Sequence, residues 1–88
     1  MSDNTTKPAA RVSLYPVKAA IWRNESEKGD VFYNVTFERS YRDDAGEWQN
    51  TATFGLNDVL LLAKVADRAH SEIYKLRAND RQVEKFDE

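Results

Sequence analysis

The chain has 88 residues, with 13 Lys and Arg against 15 Asp and Glu, one histidine and no cysteine. That length builds one small domain, whose core is marginal alone and gains from oligomerisation. The composition excludes a disulfide framework and a Cys-ligated metal, weakens any zinc site, and counts against a high-affinity duplex-DNA binder, which lives on phosphate neutralisation.

No apolar run approaches the roughly 20 residues of a membrane helix. Met1 to Ala10 is polar, contains Pro8 and lacks the apolar core of a secretory signal, so it reads as a flexible tail. The absence of cysteine suits the cytoplasm. Arg11 to Tyr15 offers a short strand, but Pro16 is expected to interrupt its ladder.

The first full strand is Val17 to Asn24, and the charged loop Glu25 to Gly29 follows as a hairpin turn. The long second strand, Asp30 to Arg42, changes character at almost every step. Setting Trp22 opposite Phe32 brings Ile21 to Tyr33, Ala19 to Val35 and Val17 to Phe37, all on one face. The second hairpin turns at Asp43-Asp44-Ala45-Gly46, which fits a type I turn closed by a left-handed glycine. With Arg42 opposite Glu47, the third strand, Glu47 to Phe54, sends Trp48, Asn50, Ala52 and Phe54 to the same dry face. The other face is polar and Thr-rich apart from the pair Trp22 and Phe32.

A helix is predicted from an Asn57 N-cap to about Ala78, with Asn79 as its stop and Leu56 stapling to Leu61. Val59, Leu62, Ala63, Ala66, Ala69, Ile73 and Leu76 make its apolar stripe. The apolar arc covers about half the circumference, counted at roughly 100° per residue. One sheet face needs less. The surplus at Val65, Ala69 and Leu76 suggests a homodimer through the same helix of a twin subunit; the alternative is cover by the N-terminal segment. Asp80 to Glu88 is a charged tail that either frays or extends the helix, with Val83 and Phe86 spaced for a short docked turn. The domain is thus expected over residues 11–78, between two tails.

Chemistry is sparse. His70 sits at the stripe's edge, the usual place of a packed histidine, and Ser71 and Glu72 beside it point elsewhere. Asp43 and Asp44 are ordinary turn formers, and no glycine-rich phosphate loop exists. An enzyme is not expected, nor is any metal or cofactor. The sharper signal is Trp22 with Phe32 on a polar face, with Lys18 and Arg42 beside them and Arg23 nearby. Such platforms stack unpaired bases beside basic groups, although Glu38 and Glu47 on that face repel phosphate.

The order of parts over Val17 to Leu76 resembles single-stranded-DNA-binding transcriptional coactivators of the positive-cofactor-four type, and more distantly the plant Whirly proteins. The resemblance lies in a strand, a long strand ending Arg39-Ser40-Tyr41-Arg42-Asp43, a turn with Gly46, and Phe54-Gly55-Leu56-Asn57 leading into one long helix. It implies a sheet followed by a C-terminal helix, pairing of two subunits through their helices, and a curved sheet surface that holds single strands. The chain is also similar to an uncharacterised family of small bacterial proteins carrying Ala20-Ile21-Trp22, the run Phe32 to Phe37, and Ala66-Asp67. It departs from the coactivators in having no basic residue from Glu47 to Thr53. DNA contacts therefore carry over only to Lys18, Trp22, Arg23, Phe32 and Arg42. The expectation is an α+β, three- to four-stranded antiparallel meander with one C-terminal helix, homodimeric, binding single-stranded DNA or RNA without catalysis. The alternative is a protein-interaction or structural module, which the acidic balance favours.

Overall fold

The computed structural model describes residues 7–86 in backbone and residues 7–80 in side chain. It is an antiparallel sheet in the order β1-β2-β3-β4 backed by one helix: β1 Ala10–Leu14, β2 Val17–Glu25, β3 Val31–Arg42, β4 Trp48–Thr51 and α1 Val59–Phe86. The expected β-sheet-then-helix plan holds, with β1 as a full fourth strand. The tail expected over Met1–Ala10 lies outside the described residues as far as residue 6. At its near end the Ala9 amide donates to the Ile21 carbonyl, 2.7 Å away.

Pro16 does not interrupt β1. Tyr15 and Pro16, joined by a cis peptide, form the two-residue turn itself, and Leu14 pairs directly with Val17. The missing proline N–H therefore falls outside the ladder, while the Pro16 carbonyl accepts from the Ser40 amide at 2.9 Å.

The β2–β3 and β3–β4 hairpins close with the same turn. Gly29 N–H donates to the Ser26 carbonyl, Ser26 N–H to the Asp30 carbonyl, and the Ser26 hydroxyl accepts from the Asp30 amide. Gly46, Asp43 and Glu47 repeat these bonds, the Asp43 carboxylate taking the hydroxyl's place. Both glycines have positive φ, 91° and 83°. Each is the left-handed third residue of a three-residue loop.

These loops correct both expected registers. In the first hairpin Trp22 meets Asn34, Ile21 meets Val35, Ala19 meets Phe37 and Val17 meets Arg39. The shift is two residues, so every side chain keeps its predicted face. In the second, Arg42 meets Trp48 and Tyr41 meets Gln49, because Glu47 is held opposite Asp43 by the turn. That shift is one residue, so β4 is reversed: Trp48 and Asn50 lie on the outer face, and Gln49 and Thr51 on the helix side. Phe54 still packs on the core because β4 ends at Thr51 and Phe54 belongs to the connection.

The helix starts one residue later than predicted. Asp58 is its N-cap: its carbonyl accepts the first helical bond, from Leu62 N–H at 2.9 Å. Leu56 is 92% exposed, so no staple to Leu61 forms. Nor does the helix stop at Asn79; it continues to Phe86. The docked turn imagined at Val83 and Phe86 falls outside the described side chains.

The helix lies across β1 and β2 and reaches β3. Val17, Ala19 and Ile21 of β2 are buried against Val65 and Ala69 of α1, with Val12, Leu14, Val35, Phe37, Leu62 and Ile73 packed around them. This corrects the proposed dimer surface. Val65 is 0% exposed and Ala69 1%, so both are filled by the chain's own sheet, and Leu76 packs on the same core. The apolar surplus of the helix is its opposite side, where Val59, Leu60 and Tyr74 are exposed.

Candidate nucleic-acid interface

The helix covers only one face of the sheet. The other is built from alternate residues of the strands: Arg11 on β1, Lys18 and Trp22 on β2, Phe32 to Arg42 on β3, and Trp48 and Asn50 on β4. At one end Trp22 sits half-buried, its indole Nε1–H donating to the Thr36 hydroxyl at 3.2 Å. That bond fixes the ring across the face. Phe32 is diagonal to Trp22, one step past Asn34, and 46% exposed. Diagonal neighbours stand about 7–8 Å apart, within reach of aromatic rings.

Next to Trp22 lies a depression of about 420 Å³, bounded by Pro8, Arg11, Lys18, Trp22, Thr36 and Glu38. Lys18 pairs across the strands with Glu38, so its charge is partly offset, while Arg11 borders the same depression.

At the far end stands a second aromatic cluster. The guanidinium of Arg42 lies 5.1 Å from the Trp48 ring centroid, and Tyr15 meets Trp48 edge-on with centroids 6.3 Å apart. Trp48 is 54% exposed and Tyr15 73%. Ser40 donates to Asn50 Oδ1 at 3.2 Å on the same side.

Four of the five expected contact residues, Lys18, Trp22, Phe32 and Arg42, thus share the outer face, although Arg42 stands at the end away from the Trp22 and Phe32 pair. Arg23 does not belong to it. Its odd position turns it to the helix side, where its Nε lies 3.8 Å from an Asp80 carboxylate oxygen. The Tyr33 hydroxyl donates to that same oxygen. Burial, then the hydrogen bond to Asp80, pushes the Tyr33 phenol above its ordinary value. Sequence reasoning missed Arg11, Tyr15 and Trp48. Tyr15 and Arg11 depended on accepting β1 as a strand, and Trp48 on the register of β4; the spacing Asp43-x-x-Gly46-Glu47, matched by Ser26-x-x-Gly29-Asp30, was the signal for the latter.

Elsewhere, His70 is exposed on the helix rather than packed, its ring edge-on to Tyr74 at 4.9 Å. Asp43 holds its carboxyl below the ordinary aspartate range, chiefly through the Glu47 amide and then the Gln49 side chain. It serves the turn. Among the described residues no three His, Asp or Glu side chains gather as metal ligands, and no helix is long and apolar enough to cross a membrane. Comparison with protein-family models, with curated proteins and with solved structures finds no match.

Proposed function

We propose that this chain is a non-enzymatic, cytoplasmic binding module that holds single-stranded nucleic acid on the outer face of its sheet. One observation carries the reading. That face is covered by no described element of the chain, yet it displays Tyr15, Trp48 and Phe32 at 73%, 54% and 46% exposure, with Trp22, Arg11, Lys18 and Arg42 among them. Exposed aromatic rings beside cations suit unpaired bases, whose π-faces stack for about 1–3 kcal/mol each. A duplex offers no free base faces, and three cations neutralise too few phosphates to hold one tightly.

Fluorescence anisotropy with a labelled oligothymidylate at low salt tests the reading. Binding in the micromolar range is expected, weakened at least tenfold by a Trp22→Ala, Phe32→Ala double substitution. No binding at tens of micromolar protein, or full binding by the double variant, refutes it.

A second copy of the chain is the partner we propose for the outward side of the helix. Val59, Leu60 and Tyr74 are 48%, 82% and 54% exposed there. Leu60 and Tyr74 stand about 21 Å apart along the helix, so an antiparallel twin helix can cover both. Asp67 stands nearer one end of the helix and Arg77, stacked on Tyr74, nearer the other. Two such helices running antiparallel about a two-fold axis set opposite charges against each other.

A further inference from the structure

We infer that the Tyr15–Trp48–Arg42 cluster is a second stacking station, and that the ligand is a strand long enough to engage both ends of the outer face. The inference rests on the nucleic-acid reading of that face. It follows from where the register puts the rings. Phe32 and Arg42 stand at opposite ends of β3, ten residues apart, or about 33 Å at the rise of a strand. Trp22 sits beside the first and Trp48 directly opposite the second. The middle of the face carries Asn34, Thr36, Glu38 and Ser40, none of which stacks bases.

The far cluster has the parts of a station in its own right. Trp48 offers a large ring more than half in water, and Tyr15 stands edge-on beside it. Arg42 holds a positive charge over the ring, where a bound nucleotide brings its phosphate. The turn at Tyr15-Pro16 and the hairpin at Asp43–Glu47 place both rings on hydrogen-bonded backbone beside the sheet.

The span then sets a length. A strand stacked at about 3.4 Å per nucleotide covers 33 Å with about ten nucleotides, and an extended strand with fewer. A strand shorter than that span engages one station at a time; a longer one engages both, and the second contact becomes intramolecular. Affinity should therefore rise with length well beyond the number of added positions, then level off once both ends are reached.

The test compares oligothymidylates of about four and about twelve nucleotides on the full chain, wild type and Trp48→Ala. The expected result is a loss of about 5- to 100-fold for the twelve-mer with Trp48→Ala, and a change within about twofold for the four-mer. A Trp22→Phe variant adds a direct readout, since Trp48 is then its sole tryptophan, and the twelve-mer should quench it. Unchanged twelve-mer affinity in Trp48→Ala, with the Trp22, Phe32 double variant still weakened, overturns the second station and leaves the proposed function standing. Absence of Trp48 quenching at saturation overturns it equally. Absence of any binding removes the proposed function and this inference together.

Discussion

At the scale of single residues, two glycines set the registers of the β2–β3 and β3–β4 pairs. A β-carbon at Gly46 meets no atom within 4 Å, so the space around it is free. Its φ of 83° is the constraint. Gly46→Ala should therefore cost about 1–2 kcal/mol through backbone strain alone, read as a lower urea midpoint with unchanged slope. The neighbouring Asp43 accepts from Ala45, Glu47 and Gln49 at 2.9–3.1 Å and holds β4 in register from there. The sequence showed the turn residues but not the loop length. A four-residue loop and a three-residue loop with a bulge differ by one step, and the apolar positions 48, 52 and 54 share a parity that favoured the wrong one. The strand ends at Thr51, so Ala52 and Phe54 never commit to that parity.

At the scale of elements, the helix is fastened at Asp58 and again at Asp80, and packed between them. Arg39 reaches the N-cap carboxylate of Asp58 at 3.4 Å and the Thr53 carbonyl at 3.1 Å. Arg23 and Tyr33 grip Asp80 some ~33 Å further along the helix. Partly exposed ion pairs contribute about 0–1 kcal/mol each, whereas removing a buried Ile costs about 2–5 kcal/mol. Ile21, wholly buried, therefore outweighs either clamp. The Tyr33 clamp is set apart by its pH dependence. Its phenol is raised in the fold, so its contribution is complete below the ordinary tyrosine value near 10 and is lost as pH rises through the raised value. The stability difference between wild type and Tyr33→Phe should shrink above about pH 10; a constant difference refutes the clamp. The helix itself was legible from its 3.6-residue period, but its orientation was not. Half its circumference is apolar, and the half that turns inward is the one carrying Val65 and Ala69, with Leu62, Ile73 and Leu76 beside them.

For the whole molecule, charge limits what the outer face can hold. Arg11, Lys18 and Arg42 are its cations, and Glu38 offsets Lys18. With about 0.7 of a counterion released per neutralised phosphate of a single strand, log affinity should fall with log salt at a slope between about −1 and −2. A slope near zero would remove phosphate contact from the account, leaving stacking alone. Pairing through Leu60 and Tyr74 places both outer faces away from the interface, so it multiplies binding surfaces rather than blocking them. Light scattering should give twice the 10.1 kDa chain mass, and Leu60→Glu should return it to the single-chain value. A single-chain mass for the unsubstituted protein at high concentration defeats the pairing.

The strand order β1-β2-β3-β4 also has a temporal meaning. Every sheet pairing joins sequence neighbours, so the hairpins can zip one after another at small loop cost. The helix is different. It must travel back past β4 and β3 to reach β1 and β2, and Val65 closes onto Val17 across a sequence separation of 48 residues. During synthesis the sheet therefore emerges before its cover, with Val17, Ala19 and Ile21 still in water. The core has no second side until α1 docks, because Val65 and Ala69 supply its helical half.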